Sequence, residues 1–442
     1  MKFRKFGRIG LALVVSLGLS FGITSCSVDF TAAFLYVTGS QYNQIGAFRV
    51  FNNTGNLVAS PGSPYGSGGT DPVRALVSTT GQYIYVLNAG SPSTDSSGNI
   101  TYSGANIAIF SVGGNGNLAF QQSYASQGTG SIRFGLSSSG SYLYVLDKYM
   151  PVKNASGDIV NVSTTQSSNF PCPDPTTAGL WRPVGDLTAF SVDSNTGRLS
   201  LITNNQQQDS SGAQLSTFPV GCNPIDIKVS AGYVFVTDNG PEPTTGLTQT
   251  VFEYALNATN GQLTLTQNSE LTTGAKQISA IGSDQASKYI YVLDSGGNQI
   301  FYYTIGTNGL LQAVTGSPTA NVSSAVNPVA LTSDSKSLFL YIANAGPSSG
   351  TTNPNSVISA FTIAANGVLA PVSPSTFSTG SGPQCILEDP SNQYIYTADA
   401  NSNTVTGHVL DPRSGNLTDL RNGTSYATVG TPTWCVASGH TN

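Results

Sequence analysis

Charged side chains are scarce in this sequence: lysine, arginine, aspartate and glutamate supply only 9% of its 442 residues. Histidine and tryptophan occur twice each, and cysteine occurs five times at wide spacings. These shortages exclude zinc sites of the CxxC and HExxH types, and no glycine loop of the phosphate-binding kind is present. Glycine, serine, threonine and asparagine are abundant instead, which is typical of short strands joined by many turns.

The first 26 residues have the composition of an export signal. Four basic residues precede an apolar run from Ile9 to Gly22, which is shorter than the roughly 20 residues of a membrane span. The run ends in ITSC at Cys26, which resembles the lipobox of bacterial lipoproteins, whose cysteine is acylated and becomes the new N-terminus. We therefore expect Cys26 to anchor the protein in the outer membrane of the cell envelope, with 27–33 as a linker. An ordinary cleaved signal is the alternative.

Without this leader the chain is acidic. It keeps 13 basic and 22 acidic side chains, so its net charge is −9. Such a surface repels a phosphate backbone, and nucleic acid is therefore not an expected partner.

Seven copies of one unit of roughly 50 residues fill the chain from Phe34 onward. Each copy has four short segments, A to D, that alternate in hydrophobicity like β-strands. Segment B has its aromatic anchor at Tyr36, Tyr85, Tyr144, Phe235, Tyr291, Tyr341 and Tyr396. Segment C has its aromatic position at Phe48, Phe110, Phe190, Tyr254, Tyr303, Phe361 and, in the last copy, His408. Segment D follows Gly55, Gly116, Gly197, Gly261, Gly309, Gly367 and Gly415. The pattern predicts an all-β fold, a seven-bladed β-propeller of four-stranded antiparallel blades over 34–442.

The ends of the repeat predict how the ring closes. The first copy begins at segment B, and the chain finishes with an unpartnered segment A at Pro432–Ser438. The C-terminal strand should therefore become the innermost strand of the first blade, which leaves no open sheet edge.

The runs YVLN, YVLD and YIAN, followed by Gly-x-Leu, resemble the YVTN-repeat propellers. These are grouped with the seven-bladed lactonase family typified by 6-phosphogluconolactonase. The resemblance covers about Phe34 to Ser438 and implies the propeller fold. It also implies hydrolysis of phosphorylated or carboxylated sugar-acid lactones in a central cleft. No catalytic residue of the family maps onto this chain, because the repeated residues are packing residues.

One face of the propeller carries the large insertions. Antiparallel order places the B–C and D–A connections on this face, here called the upper face, and the B–C connections of copies 2, 3, 4 and 6 are enlarged. Such insertions are typical of a binding face, and neutral loop variation is the alternative. The longest, about 149–185, carries Trp181 and Cys172. A Cys172–Cys222 disulfide would hold this loop over the channel mouth or against the blade tops.

Six copies end segment B with an Asx residue, at Asn88, Asp147, Asp238, Asp294, Asn344 and Asp399. Because carboxylate oxygens suit a hard cation, Asp147, Asp238, Asp294 and Asp399 are weak candidates for a calcium site. No other cofactor is expected. The alternative is that each side chain hydrogen-bonds its own turn.

Charged residues also occur near the start of the innermost strand. Arg74 and Arg133 occupy equivalent positions in neighbouring blades, and Asp226 takes that position in the next blade. Two guanidiniums over the channel would hold a carboxylate or phosphate. The alternative is that they pair with Asp226 between blades.

Cys385 and Trp434 occupy the equivalent position in two further blades, and Cys435 directly follows Trp434. A Cys385–Cys435 disulfide would pin the closing strand if the two Cα atoms lie within about 7 Å. Glu388 follows on the same inner strand as Cys385 and is a further ligand-binding candidate.

These observations are consistent with three functions. The leading hypothesis is an envelope scaffold whose upper face binds another envelope protein or a small sugar-acid carboxylate. The second is a lactonase, a carboxylic ester hydrolase, in which Arg74 and Arg133 hold the substrate and an aspartate of the channel mouth activates water. The third is a cation-stabilised structural propeller. Arg74, Arg133 and Glu388 around an open cleft would favour the enzyme, whereas a mouth plugged by Trp181 and Trp434 would favour the scaffold.

Overall fold

The chain folds into seven four-stranded antiparallel sheets arranged as the blades of a propeller. The structure, a computed structural model, describes residues 30–208, 212–241, 246–270 (267–270 by backbone alone), 274–347 and 356–439. Its first strand begins at Thr31, inside the predicted linker. The predicted signal, Cys26 and residues 27–29 of the linker lie outside the described residues. No helix among the residues that the structure describes is long and apolar enough to span a membrane.

Each blade runs from an innermost strand A to an outermost strand D. Strands A, from blade 1 to blade 7, are Pro432–Gly439, Pro72–Val77, Thr129–Leu136, Pro224–Ser230, Ile278–Ser283, Pro328–Ser333 and Pro383–Glu388. Strands B are Thr31–Gly39, Tyr83–Asn88, Tyr142–Tyr149, Tyr233–Asp238, Tyr289–Asp294, Phe339–Asn344 and Tyr394–Asp399. Strands C are Gln44–Phe51, Asn106–Val112, Asp186–Val192, Thr250–Leu256, Gln299–Ile305, Val357–Ile363 and Thr404–Leu410.

The outermost strands are less regular than the inner three. In blades 2, 4 and 6, strand D is continuous, at Leu118–Tyr124, Leu263–Glu270 and Leu369–Ser378. In the other blades it is divided into two short pieces, at Leu57–Ala59 with Tyr65–Gly66, Leu199–Ile202 with Phe218–Pro219, Leu311–Ala313 with Thr319–Ala320, and Leu417–Asp419 with Ser425–Ala427.

The closing strand confirms the predicted seam. Pro432–Gly439 pairs antiparallel with Thr31–Gly39, and Val436 lies opposite the anchor Tyr36. The last strand of the chain thus supplies the inner edge of the first blade, and every sheet is completed by its own four strands.

One contact recurs between successive blades at the lower face, where strands C and D are joined. The aromatic residue two positions before each anchor lies against the turn glycine of the next blade, and a Cβ on any of these seven glycines would lie 2.3–2.7 Å from the neighbouring ring. These glycines also have φ between 68° and 86°, which disfavours any other residue. The Gly-x-Leu repeat therefore marks the points where blades touch.

The anchors add a hydrogen bond to the same contact. The hydroxyl of Tyr36 donates to the carbonyl of Gly116, and those of Tyr85, Tyr144 and Tyr341 donate to the equivalent glycine carbonyls at 2.9–3.2 Å. Tyr396 of blade 7 donates to Gly55 of blade 1 at 2.5 Å, so the same bond closes the ring. All seven anchors are fully buried.

The insertions project from the upper face, as predicted. The B–C connection of blade 2 forms a hairpin of Ser91–Thr94 with Ile100–Ser103. That of blade 3 forms two hairpins, Val152–Lys153 with Ile159–Val160 and Cys172–Pro173 with Trp181–Arg182. The corresponding connections of blades 4 and 6 are described only in part.

Candidate ligand site in the central channel

A β-bulge precedes one particular position in every innermost strand. Followed along strand A, the pairing with strand B shifts register just before Arg74, Arg133, Asp226, Ala280, Ala330, Cys385 and Trp434. We call this set of seven residues the channel ring. A bulge changes the direction of the side chain beside it. The channel ring is therefore the set of positions at which the blades differ in the side chain that they contribute to the channel.

Three charged members of the ring meet. Nη2 of Arg74 lies 2.8 Å from Oδ1 of Asp226, and Nε of Arg133 lies 3.5 Å from the same oxygen. The side chain of Arg74 is 10% exposed, whereas that of Arg133 is 30% exposed. The predicted pairing between blades is therefore present, but two guanidiniums share one carboxylate and the cluster keeps a net positive charge.

The carboxylate of Asp226 is held by the backbone as well as by Arg74. The backbone N–H of Ile227 donates to its Oδ1 at 3.0 Å, and that of Ile281, in the next blade, donates to its Oδ2 at 3.2 Å. Both oxygens thus accept hydrogen bonds, and Asp226 is held where it positions Arg74.

The indole of Trp434 completes the setting of Arg74. The guanidinium carbon of Arg74 lies 3.3 Å from the centre of the Trp434 ring, as in a stacked cation–π pair. Burial and the neighbouring charge of Arg133 lower the pKa of Arg74 to about 9, against the opposite effect of Asp226. The guanidinium of Arg74 is therefore held between the indole of Trp434 and the carboxylate of Asp226, whereas the guanidinium of Arg133 is more exposed.

A cavity of about 250 Å³ opens beside this cluster inside the channel. Arg74, Asp226 and Trp434 line it, together with Lys228, which lies two residues beyond Asp226 on the same strand. Burial lowers the pKa of the Lys228 amine, while Asp226 and Asp284 act in the opposite direction. The sequence analysis missed Lys228, although its place two positions after a ring residue was a readable signal.

Glu388 does not join this group. It lies three residues beyond the ring residue Cys385, opposite Ile395, near the lower end of the channel. Burial and the charge of Asp334 raise its pKa to about 7. The length of strand A thus separates Glu388 from the two arginines, and these three residues do not form the cluster that would have favoured the enzyme.

The long insertion packs away from the channel cavity. Trp181 pairs with Pro173 in a hairpin, and its backbone exchanges hydrogen bonds with Ser163. No residue of 149–185 is among the described residues that line the cavity. Trp181 therefore does not line this cavity, and Trp434 is the tryptophan that faces it.

Arg182 is the centre of this insertion, and the sequence did not single it out. It is 4% exposed, and its Nε lies 2.5 Å from Oδ2 of Asp174. Its Nη1 donates to the carbonyls of Asn161 at 2.8 Å and Gly98 at 3.0 Å. The insertion of blade 3 is thereby bound to the hairpin of blade 2.

Both predicted disulfides are present. Cys172 and Cys222 are bonded with Cα atoms 5.4 Å apart, and they tie the insertion to the segment that enters blade 4. Cys385 and Cys435 are bonded with Cα atoms 5.8 Å apart, and they join the inner strands of blades 7 and 1.

The aspartates that end strands B are sealed within their blades. Asp147, Asp238, Asp294 and Asp399 are each 0% exposed. Asp294, for example, accepts the backbone N–H groups of Gln277 and Gly297, and Asp399 accepts the hydroxyl of Thr406. They hold their own connections, as the alternative prediction stated, and an aspartate of this set cannot activate water in the channel. In the described parts of the chain, no three His, Cys, Asp or Glu side chains are grouped as a metal site.

Residues 312–437 match the family described as "Lactonase, 7-bladed beta-propeller". This confirms the resemblance. The match runs from the outer strand of blade 5 to the closing strand, so it includes Glu388 and Trp434 but not Arg74, Arg133 or Lys228. No curated protein sequence is significantly similar to the chain.

Solved lactonase-type structures share the fold. The periplasmic gluconolactonase PpgL of Pseudomonas aeruginosa superimposes with a TM-score of 0.64 at 15% identity, covering 93% of this chain and 100% of that one. A protein of Bacteroides fragilis with a proposed 6-phosphogluconolactonase activity gives a TM-score of 0.63 at 15% identity, covering 93% of this chain and 99% of that one. These likenesses show the propeller fold. The predicted role as a binding scaffold gains no support from them and stays a prediction.

Proposed function

We propose that this chain is a lactonase-type propeller of the cell envelope that binds a sugar-acid lactone bearing a carboxylate or phosphate in its central channel and hydrolyses it. The observation that carries the proposal is the meeting of Arg74 and Arg133, from neighbouring blades, beside a channel cavity that Lys228 also lines. Arg74 and Lys228 line this cavity and Arg133 shares the carboxylate of Asp226 with Arg74, in a chain whose 13 basic side chains beyond the leader are outnumbered by 22 acidic ones. The cluster is suited to an anionic ligand.

In this proposal the residues have distinct roles. Arg133, with the freer guanidinium, holds the anionic group, and Arg74 is positioned for the same task by Trp434 and Asp226. Lys228, whose pKa burial lowers, acts as general base toward a water molecule. Water oxygen bonds to the lactone carbonyl carbon, one water proton passes to the Lys228 amine, the ring C–O bond breaks, and the leaving alkoxide takes the proton back. The product is the open hydroxy acid.

The location in the envelope is part of the same proposal. Two disulfides are consistent with an oxidising compartment, and the signal with Cys26 suggests lipid anchoring in the outer membrane. Replacement of Cys26 by serine should release the chain from the membrane fraction, as an immunoblot of separated fractions would reveal. A Cys26→Ser protein that stays in the outer membrane would contradict the anchor.

The activity is tested on the chain from Ser27 onward with a panel of phosphorylated and carboxylated sugar-acid lactones. We expect turnover above spontaneous hydrolysis, a loss of roughly 100-fold or more in kcat for Lys228→Met, and a raised KM for Arg133→Ala. Arg198→Ala, an exposed arginine outside the channel, is the matched control and should keep full activity. If no lactone is hydrolysed by a chain with native circular dichroism, the enzyme proposal fails and the scaffold hypothesis takes its place.

A further inference from the structure

Blade 3 contains two carboxylates side by side in its interior. Asp147 ends strand B and Asp186 begins strand C, and the two residues lie directly opposite each other in the antiparallel pairing. Both are 0% exposed. Two buried carboxylates that face each other across one strand pair cannot both be ionised without a compensating positive charge.

Asp147 is surrounded by donors. The hydroxyls of Ser126 and Ser131 donate to its two oxygens at 2.5 Å each, and that of Thr188 donates at 3.2 Å. Burial nevertheless raises the pKa of Asp147 to about 6, against the opposite effect of these three donors.

Asp186 is the opposite case. Neither of its carboxylate oxygens has a hydrogen-bond partner of good geometry, and the buried hydroxyl of Thr217 is the one nearby donor that acts to lower its pKa. Burial and the like charge of Asp147 raise the pKa of Asp186 well above its usual range, and no cationic side chain opposes this among the described groups that act on it. Unpaired buried groups of this kind cost several kcal/mol unless something else satisfies them.

Blade 2 shows the neutral version of the same arrangement. Asn88 and Asn106 lie opposite each other at the equivalent positions, and the amide of Asn88 donates to Asn106 at 2.8 Å and to the carbonyl of Ser67 at 3.1 Å. A pair of amides carries no charge and holds together without a counter-ion. The acid pair of blade 3 does not.

We propose that Asp147 and Asp186 bind a hard cation of the calcium class inside blade 3. The two carboxylates offer four oxygens, and the hydroxyls of Ser126, Ser131 and Thr217 border them, which approaches the six to eight oxygen ligands that calcium prefers. The charge of a divalent ion neutralises the pair.

A loop segment covers the acid pair. Ser126, Gly128 and Ser131 of this segment line a surface pocket of about 290 Å³. At Gly128 a Cβ would overlap the carboxylates of both Asp186 and Asp147. Only glycine lets the backbone pass this close to the two side chains.

The bound ion would fasten the base of the long insertion. Asp147 and Asp186 lie at the two ends of this loop, whereas the Cys172–Cys222 disulfide holds it further along. Calcium is therefore expected to stabilise blade 3 and its insertion rather than to take part in channel chemistry. This inference does not depend on the proposed lactonase activity.

The test is calorimetric titration of CaCl2 into the exported full chain after EDTA treatment, with Tm measured beside it. We expect one calcium ion per chain and a Tm that rises with CaCl2 concentration, because a ligand that binds only the folded state stabilises it. The decisive variant is Asp147→Asn/Asp186→Asn, which reproduces the amide pair of blade 2 and should fold while losing both responses. Thr217→Val keeps both carboxylates and should weaken binding about tenfold or less.

Asp294→Asn is the matched control, because Asp294 also ends a strand B but has no second carboxylate opposite it, so this variant should keep the calcium response. If neither the Tm nor the heat signal of the wild-type chain changes with CaCl2, MgCl2 or NaCl, the proposal is wrong. A proton shared by Asp147 and Asp186 would then be what neutralises the pair. An undiminished calcium response in the double asparagine variant would overturn it as well.

Discussion

The lower face and the channel ring use the same seven blades in opposite ways. At the lower face every blade repeats one contact, an aromatic ring against a glycine of its neighbour, with a tyrosine hydroxyl on the glycine carbonyl in most copies. At the ring, the seven equivalent positions carry two arginines, an aspartate, two alanines, a cysteine and a tryptophan. Residues that hold the blades together are repeated, and residues that give the channel its chemistry differ from blade to blade.

The strongest way to break the repeated contact is at one of its glycines. In the C–D turn of blade 2, Gly116 has φ of 75° and a Cβ there would overlap the ring of Phe34, whereas a Cβ on Gly114 meets nothing within 4 Å. We expect Gly116→Ala to lower the free energy of unfolding by roughly 2–4 kcal/mol. Gly114→Ala should change it by about 0.5 kcal/mol or less. Urea denaturation measures both, and equal effects would show that the turn tolerates a side chain between blades.

The hydrogen bond from the anchor hydroxyl to the glycine carbonyl contributes less to the free energy of unfolding, and the anchor of blade 4 has no hydroxyl to make it. Tyr85→Phe removes the bond to Gly197 and should cost about 1 kcal/mol in the free energy of unfolding. Phe235 already occupies the anchor position of blade 4, so Phe235→Tyr should be neutral or stabilising by up to about 1 kcal/mol. Denaturation curves of the two variants check this, and a destabilising Phe235→Tyr would show that blade 4 has no space for the hydroxyl.

The smallest expected effect concerns pH and the lower end of the channel. Because burial and Asp334 raise the pKa of Glu388 from 4.5 to about 7, folded Glu388 binds its proton more tightly than the unfolded chain does. Stability should therefore fall as pH rises from about 4.5 through 7 and then level off. Glu388→Gln should reduce this fall in a series of Tm measurements. Asp158→Asn, at an exposed hairpin turn, should leave it unchanged, and parallel profiles for wild type and Glu388→Gln would refute the assignment.

The repeat in the sequence was enough to predict the fold, because packing residues recur wherever blades meet. The B anchors, the turn glycines and the unpaired final segment led to seven blades and to the closing strand Pro432–Gly439. The same spacing placed Arg74, Arg133 and Asp226 at equivalent positions, and it suggested the two disulfides that are present without excluding other pairings of the four cysteines.

Features that depend on one blade alone escaped prediction. Lys228 and Asp186 have no counterpart in the other copies, so an alignment of repeats treats them as ordinary variation. The sequence left open whether the loop of Trp181 covers the channel or the blade tops, because the contacts of Arg182 that fix the loop join distant parts of the chain. Glu388 shares a strand type with the arginines, but the sequence does not show that strand A, which spans the depth of the channel, separates them.

The closing strand has a consequence for the timing of biosynthesis. Trp434, the floor beneath Arg74, is translated after all seven strands B, and it reaches the channel only when Pro432–Gly439 docks beside Thr31–Gly39. A chain released early by the ribosome or trimmed by a protease would keep both arginines yet lack the surface that positions them. The proposed ligand site is therefore complete only in protein chains that have been fully synthesised and whose propeller has closed.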